Sequence, residues 1–341
     1  MLMKNIFSII ILILAVLSIF AAQYCLSDYA LRTFINISIF IILAVSYNLI
    51  NGVTGQFSLE PNGFVAVGAY ITALLLLDIE AKQDQFSLLD PHPFILSFHT
   101  DSFFIALLAG GFSALALSLI LSFAVFRVRG DYLAIVTLGF GIIIKLIALN
   151  FAAFTNGVQG LNEIPKPNNF LYIVGIITII SVILILNIIY SKYGRAMKAV
   201  RDDEDAALAM GINTFRIKTL AFGTSAFLEG VAGGLLACYI TSVTPEQFDF
   251  LFTFQLLIII VLGGLGSTTG AIIGAILVIG GSEWLRFLDE PMSIFGYETK
   301  GLPGLRMLVF SIILILVMLF ARRGIFGDKE LSDIIFKRFK K

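Results

Sequence analysis

The sequence predicts an all-α fold, a polytopic bundle of transmembrane helices with about ten spans. Hydrophobic residues make up 58% of the 341-residue chain and charged residues 13%, and the mean hydropathy is +0.97. A water-soluble fold would have too little polar surface to cover so many apolar side chains. The apolar residues also form long runs, and cationic residues collect between alternate runs, as they do in chains that cross a bilayer repeatedly.

The predicted spans follow from the length of each apolar run, since a helix needs about 20 residues to cross a bilayer. The runs lie near residues 5–24, 33–51, 57–77, 103–126, 132–152, 169–190, 219–241, 251–264, 269–286 and 304–321. The first run is longer than the core of a signal peptide, so it is predicted to be an uncleaved helix. The short pair at 251–286 is joined by a glycine-rich turn, and a re-entrant or broken helix there would lower the number of spans to about eight or nine.

The charge distribution predicts the orientation of the chain. Basic residues fall on one side of the predicted spans, at Lys4, at Arg127 and Arg129, in the loop 191–218 and in the tail 322–341. The loop 78–102 on the other side is acidic. Cationic loops remain in the cytoplasm, so both termini are predicted to be cytoplasmic. The chain is predicted to be one transmembrane domain over residues 1–341, with a cytoplasmic loop at 191–218, an outer loop at 78–102 and a basic tail at 322–341.

Several classes of function lack support in the sequence. The formal net charge of zero argues against a nucleic-acid partner. Cys25 and Cys238 lie far apart in apolar stretches, which favours neither a disulfide nor a metal site. The chain has no phosphate-binding Gly-x-x-x-x-Gly-Lys-Ser/Thr run and no catalytic motif. We therefore predict no catalytic residue, no metal and no cofactor in this chain.

The cytoplasmic loop 191–218 carries the most informative pattern. Met197, Val200, Ala207, Leu208 and Gly211 fall on one face of a predicted helix. Gly211 is also a helix breaker and is predicted to end a short cytoplasmic helix. Two interpretations follow. The loop is either an amphipathic linker at the membrane surface or a docking helix whose small residues let it enter a groove on a partner.

A resemblance to a known family favours the docking helix. The order Asp205-Ala206-Ala207-x-x-x-Gly211 resembles the "EAA" loop of ABC importer permeases, with Asp in place of the usual Glu. The longer run from Gly194 to Asn213 resembles the larger, M-type permease subunits of branched-chain amino acid importers. Similar signatures of that family occur at Asn48–Leu59, Gly130–Gly139, Thr155–Leu161, Gly263–Ser267 and Gly324–Gly327. The glycine-rich turns at 52–55 and 263–266 also resemble each other faintly, which hints at two related halves.

The resemblance implies an ABC importer permease fold, alternating access and a location in the bacterial inner membrane. It also implies four kinds of partner, which are the lipid bilayer, a second and shorter permease subunit, two ATPase subunits that bind ATP and Mg²⁺, and a periplasmic solute-binding protein. The residues expected to transmit ATPase motion are Gly194, Arg195, Arg201, Glu204, Asp205, Ala206, Ala207 and Gly211.

The sequence leaves the solute open. Glu60-Pro61 stands where the family usually has Gly-His, and Lys145 lacks the acidic residue that precedes it in the family. Urea or a short amide is the nearest alternative to Leu, Ile and Val. An ion-coupled secondary transporter is an alternative of another class, in which Glu229 and Glu283 would bind the ion.

Polar residues inside the spans are candidates for the solute pathway. Broken helix ends can bind the carboxylate and ammonium groups of a zwitterion. The polar residues nearest to predicted breaks are Thr54, Gln56, Ser58, Thr137, Asn156 and Gln159. The intramembrane charges are Glu60, Lys145, Glu229 and Glu283. Lys145 is expected to pair with Glu229 or Glu283 across the bundle. The alternatives for these charges are a role in the pathway and snorkelling to the membrane interface. Glu60 follows a cytoplasmic turn, and its simplest interpretation is a hydrated side chain.

Overall fold

The computed structural model describes residues 16–24, 26–86, 98–127, 131–289, 292–294, 297–299, 304–320, 324–327 and 330. Several sequence predictions concern residues beyond these. The start of the first span, the centre of the outer loop at 87–97, Arg129, and most of the basic tail lie outside the described residues.

The described part of the chain is mostly helical. In chain order the helices are α1 (Asp28–Val53), α2 (Pro61–Leu76), α3 (Ile79–Gln85), α4 (Phe103–Val125), α5 (Asp131–Asn150), α6 (Ala152–Thr155), α7 (Phe170–Tyr190), α8 (Lys192–Asp202), α9 (Glu204–Ala209), α10 (Thr214–Ile240), α11 (Phe250–Gly263), α12 (Thr268–Trp284) and α13 (Leu305–Phe320). The last turn of α1 and the middle of α12 are π-helical. Residues 16–24 are helical as well.

Five of the described helices are long and apolar enough to cross a membrane, and the number rises to six if the bent pair α2–α3 counts as one span. These five are α1, α4, α5, α7 and α10, and each corresponds to a predicted span. The other predicted spans that lie in the described residues are helical but shorter. A multi-pass helical membrane protein is therefore confirmed, while the number of about ten spans stays a prediction.

The centre of the bundle is α10, in which 83% of the most apolar window is buried, against 33% in α4, α5 and α7. Glycines let its backbone contact the neighbouring helices directly. A Cβ on Gly68 of α2 would collide with the carbonyl oxygen of Gly230, and one on Gly233 with that of Val65. A Cβ on Gly110 of α4 would lie 2.8 Å from the carbonyl oxygen of Gly68. Small residues suit such contacts because lipid provides no hydrophobic drive for helices to associate.

The helix predicted at 57–77 begins later than expected. Residues 54–60 are not helical, and α2 starts at Pro61. Proline favours the first turn of a helix and disfavours a helical residue before it, so Pro61 fixes this start. Gly55 has a φ of 70°, which reverses the chain after α1. A non-helical segment therefore runs back into the bundle between α1 and α2.

The pair α11 and α12 forms a hairpin, with arms of 14 and 17 residues that are shorter than a full span. Ser267 caps the start of α12 at the turn, because its hydroxyl accepts from the Gly270 amide at 3.1 Å. The C-terminal segment covers this turn. The Ile325 amide donates to the Leu262 carbonyl at 2.9 Å, and the Glu330 carboxylate accepts from the amides of Thr268 and Thr269 at 2.7 and 3.1 Å.

The all-α prediction missed two short antiparallel pairs. Strand β1 (Leu161–Asn162) pairs with β2 (Ser242–Val243), and β3 (Met292–Ile294) pairs with β4 (Tyr297–Thr299). Strands of two or three residues are too short to show an alternating pattern of apolar residues. The pair β1–β2 joins the loops that follow α5 and α10.

The close helix contacts generate a stability prediction. Gly68→Ala and Gly233→Ala are each expected to lower the free energy of unfolding by about 1–3 kcal/mol, because the added methyl groups force the helices apart. The midpoint of thermal unfolding in detergent measures this effect. Gly139→Ala is the matched control, because its methyl would meet nothing within 4 Å, and its midpoint should not fall. Equal midpoints for all three variants would contradict the prediction.

Candidate functional site

The loop 191–218 folds as two short helices, α8 and α9, and we call residues 191–211 the coupling segment. Ser191 caps the start of α8, because its hydroxyl accepts from the Tyr193 amide at 3.1 Å. Gly194 is buried where α8 turns back on α7, and a Cβ there would collide with the carbonyl oxygen of Ile189. Glycine at this position lets α8 leave the end of α7 in a tight turn.

The second helix, α9, has defined ends. The Asp203 carboxylate caps it by accepting from the amides of Asp205 at 3.0 Å and Ala206 at 2.9 Å. Gly211 follows the helix with a φ of 82°, and its amide donates to the Leu208 carbonyl at 3.0 Å. This left-handed glycine ends the helix as predicted. The motif therefore encodes a short, capped helix between two chain reversals.

The five residues predicted to share one face of a helix do not share one. Met197, Val200 and Ala207 are buried. Leu208 is 44% exposed and Gly211 is also exposed, so the prediction of one common face was wrong. The reason is the break at Asp203, which ends α8 and changes the direction of the second helix.

The surface of the coupling segment is apolar at its end. Met210 is 82% exposed, next to the exposed Leu208 and Ala206. Adjoining apolar residues on a charged loop make this end of the segment a candidate surface for binding another protein. Of the other predicted residues, Arg195 and Asp205 are exposed and Glu204 is partly exposed, whereas Ala207 packs against the protein itself.

An ion pair fixes the coupling segment to the central helix. The Lys218 ammonium donates to the Glu204 carboxylate at 2.7 Å, and the Lys218 side chain is 3% exposed. The ammonium also lies 5.9 Å from the centre of the Phe126 ring. Since Lys218 belongs to the first turns of α10, the ion pair joins α9 to the helix at the centre of the bundle.

The two glycine turns, residues 52–55 and 263–267, are in contact. The Gly266 amide donates to Asn48 Oδ1 at 2.9 Å, and Asn48 Nδ2 donates to the Ser267 carbonyl at 3.2 Å. Arg201 of the coupling segment reaches the same place, where Nη1 donates to the Gly52 carbonyl at 3.4 Å. The structure therefore brings together three sequence signatures that are far apart in the chain.

The predicted pathway residues separate into two groups. Thr137 lies beside the non-helical segment 54–60, which contains Ser58, since the Leu59 amide donates to Thr137 Oγ1 at 2.9 Å. Thr54 is buried in that segment, and Gln56 is partly buried. Asn156 and Gln159 lie beyond the opposite end of α5, where Asn156 donates to the Gly160 carbonyl at 2.9 Å. One polar site cannot include all six residues.

Two carboxyl groups are buried near the first group. Glu60 and Glu229 are both 0% exposed, and they interact electrostatically with each other and with Tyr47. The expectation that Glu60 is hydrated was therefore wrong, because the segment 54–60 carries it into the bundle. Within the described residues, neither Glu60 oxygen accepts a hydrogen bond, and nor does Oε2 of Glu229. The side-chain oxygens of Ser58 and Asn62 nearby in sequence are also buried without partners there.

The hydrogen-bond geometry at Glu229 bears on its charge. Ser225 Oγ lies 2.7 Å from the Ser46 carbonyl oxygen and 2.8 Å from Glu229 Oε1. A hydroxyl has one hydrogen, so it can donate to only one of these acceptors. Both contacts are satisfied when the Glu229 carboxyl is protonated and donates to Ser225. Such a group of buried acceptors is suited to bind a proton or a cationic group.

The other two intramembrane charges have partners that the sequence did not indicate. Lys145 pairs with Asp249 at 3.1 Å, so its predicted pairing with Glu229 or Glu283 was wrong. Asp249 caps α11, and its hydrogen bonds from the Phe250 amide and from Lys145 hold the pKa of its carboxyl below the usual range. Glu283 accepts from the Tyr29 hydroxyl. Each of these charges is therefore satisfied by a neighbouring element and not across the centre of the bundle.

Sequence reasoning missed several residues of these sites. The sequence indicated Asn48 only as the first residue of a signature. Its partner Gly266 lies 218 residues further along the chain. Glu204–Lys218 is separated by 14 residues, and no helical spacing indicates it. An exposed methionine such as Met210 is indistinguishable from a buried one in sequence. The Asn48 contact, the Glu204–Lys218 pair and the exposure of Met210 all depend on tertiary structure, which a local sequence pattern does not show.

Comparison with known proteins identifies relatives over most of the chain. The family model described as "Branched-chain amino acid transport system / permease component" matches residues 29–318. The high-affinity branched-chain amino acid transport system permease protein LivM of Escherichia coli is 33% identical over 339 residues, which covers 90% of this chain and 73% of the relative. LivM of Salmonella typhimurium is 32% identical over the same shares. LivH of Salmonella typhimurium is 24% identical, over 87% of this chain and 94% of the relative. No solved structure matches the chain.

The buried ion pair generates a prediction. Glu204→Gln is expected to lower the free energy of unfolding by about 3–5 kcal/mol, because it leaves the Lys218 ammonium buried without its counter-ion. The double variant Glu204→Gln, Lys218→Met removes both charges and should recover most of the loss. Thermal unfolding in detergent is measured for the wild type, for Glu204→Gln, for Lys218→Met and for the double variant. Together these four measurements give the coupling energy of the ion pair. Additive losses in the double variant would show that the two side chains do not interact.

Proposed function

The chain belongs to the family of branched-chain amino acid transport system permease components, and on that premise we propose that it conducts Leu, Ile and Val as a subunit of an ATP-driven importer. The family model over residues 29–318 carries the proposal. The permease role itself requires no ATP site in this chain. ATP and Mg²⁺ bind to separate ATPase subunits, and the chain is not an enzyme in this proposal.

The coupling segment is the docking site of the ATPases in this proposal. Its exposed Met210, Leu208 and Ala206 form the contact surface, and Asp203 and Gly211 hold α9 in shape. The ion pair between α9 and α10 passes the movement to the centre of the bundle. Closure of the ATPases on ATP would then move α10 and its neighbours, and the bundle would open on the other side of the membrane.

The assembly has further partners. The chain resembles both LivM and LivH, which supports an importer with two different permease subunits. A periplasmic binding protein delivers the solute at the outer face, and the complex lies in the bacterial inner membrane. A topology of about ten spans with both termini in the cytoplasm puts the coupling segment on the ATPase side.

The pathway passes the non-helical segment 54–60 in this proposal. Irregular backbone within a bilayer occurs where it is buried in protein or lines a cavity, and discontinuous helices commonly hold the solute in transporters. The start of α2 offers the positive end of a helix to the carboxylate of an amino acid. Glu60 and Glu229 offer acceptors to its ammonium group, beside Ser58 and Thr137.

A docking variant tests the coupling segment. Met210→Ser is expected to weaken binding of the ATPase subunits about tenfold or more, because a methionine side chain contributes about 1.5–3 kcal/mol when it is buried at an interface. The affinity is measured on the purified permease pair in detergent. Arg127→Ala is the control, since Arg127 is exposed in the turn after α4, outside the coupling segment, and it should bind normally. Unchanged affinity in Met210→Ser would count against this surface.

A pathway variant tests the carboxyl pair. Glu60→Gln and Glu229→Gln are expected to reduce uptake of leucine while ATPase binding stays normal, because an amide no longer balances an ammonium group. Glu246→Gln is the control, since Glu246 is exposed in the loop before α11. The measurement is leucine uptake into proteoliposomes that contain the complete complex. Normal uptake in both variants would exclude the pair from the pathway.

The same proteoliposomes test the function as a whole. Uptake of Leu, Ile and Val is expected to require ATP on the side of the ATPases, together with the binding protein. Uptake driven by an ion gradient without ATP would favour a secondary transporter. Transport of urea in preference to leucine would favour the urea or short-amide alternative.

A further inference from the structure

We propose that Arg201 is a positioning residue through which movement of the coupling segment reaches both glycine turns at once. The inference rests on the proposed docking of ATPases on this segment and goes further, since it assigns the link between the docking surface and the interrupted helices. The family resemblance only names Arg201 among the residues expected to transmit ATPase motion, and the contacts described below assign it a route to the glycine turns.

The two glycine turns behave as one unit. A Cβ on Gly52 would collide with the Gly266 amide nitrogen and would lie 2.8 Å from Gly266 Cα, so the two backbones touch. Asn48 ties them together through hydrogen bonds of 2.9 Å from the Gly266 amide and 3.2 Å to the Ser267 carbonyl. Asn48 is 1% exposed, so water does not compete for these bonds. A force on one turn is therefore felt by the other.

The Arg201 side chain contacts both turns. Its Cγ occupies the space beside Gly55, where a Cβ on the glycine would collide with it and would lie 3.0 Å from Arg201 Cβ. Its Nη1 donates to the Gly52 carbonyl at 3.4 Å and would lie 3.3 Å from a Cβ on Gly266. The aliphatic part therefore packs on the first turn, and the guanidinium lies over the line where the turns meet.

Asp202, the last residue of the same helix, holds the guanidinium in this orientation. Nε and Nη2 donate to Asp202 Oδ1 at 3.2 and 3.1 Å, which leaves Nη1 directed at Gly52. The fork of an arginine can make these bonds together, and a lysine cannot. The side chain is 31% exposed, at the edge of the protein. Arg201 thus connects the end of α8 to the turns.

The contact of Arg201 with the turns acts on several helices, because each turn lies at the end of a helix. The first turn ends α1 and begins the non-helical segment that leads to Glu60. The second joins α11 to α12. A shift of α8 is therefore delivered to three helices and to the segment that carries the proposed pathway residues. The ion pair Glu204–Lys218 delivers the same shift to α10 by a separate route.

The first arm of the experiment needs no partner protein. Hydrogen exchange of the full chain in detergent is compared between wild type, Arg201→Ala and the control Lys198→Ala, which removes an exposed cation from the same helix. We expect faster amide exchange at residues 52–55 and 263–267 in Arg201→Ala only. Unchanged exchange at both turns would overturn the inference whether or not the ATPases dock here.

The second arm uses the complete complex in proteoliposomes. Arg201→Ala is expected to retain ATPase binding and ATP hydrolysis. Its uptake rate should fall about tenfold or more, because the variant loses a hydrogen bond from a charged group. Uptake equal to that of Arg127→Ala, which removes an exposed cation in the turn after α4, would overturn the inference. Loss of ATPase binding would overturn it too, because Arg201 would then belong to the docking surface.

Two further variants separate the guanidinium from its stem. Arg201→Lys retains a donor for the Gly52 carbonyl, and Arg201→Met retains only the apolar stem beside Gly55. We expect higher uptake with lysine than with methionine, at equal ATPase binding. Equal uptake would contradict the role of the donated bond. If the wild-type complex itself binds no ATPase at the coupling segment, the proposed function fails, and the exchange arm still decides the link between Arg201 and the turns.

Discussion

The direct contact between the backbones of α2, α4 and α10 is the constraint on which the bundle depends. Lipid does not drive apolar helices together, so close packing has to supply the stabilisation. Gly68, Gly230 and Gly233 make this possible, because any side chain there would separate the helices. With its backbone fixed in this way, α10 can hold the coupling segment at one end and the buried Glu229 in its middle.

The sequence indicated the long helices well and the interrupted ones poorly. Long apolar runs identified α1, α4, α5, α7 and α10, since length and composition are local properties. The start of α2 was misplaced because Pro61 interrupts the helix within a run that was predicted to continue through it. In the site, the short helix that ends at the left-handed Gly211 followed from a local motif. The contacts of Asn48, Arg201 and Lys218 join distant segments and could not follow from local pattern.

For the buried charges, too, the sequence indicated the residues themselves but not the contacts that they make. An ionisable residue in an apolar run was a sound indicator of an unusual site, but not of its partner. Lys145 finds Asp249 at the start of α11, while Glu60 and Glu229 lie together with few donors among the described residues. Among the described residues, the charge of Lys145 is thus balanced by local pairing near an end of the bundle, whereas the carboxyl pair in the interior has no such partner.

The contact of the C-terminal segment with the hairpin has a consequence for biogenesis. The turn between α11 and α12 obtains hydrogen bonds from Ile325 and Glu330, and the ribosome adds Glu330 62 residues after its partner Thr268. Until synthesis reaches Glu330, the amides of Thr268 and Thr269 therefore lack the carboxylate that accepts from them in the folded chain. A chain that stops before Glu330 would still contain its long apolar helices, but the start of α12 would lack this acceptor for its first amides.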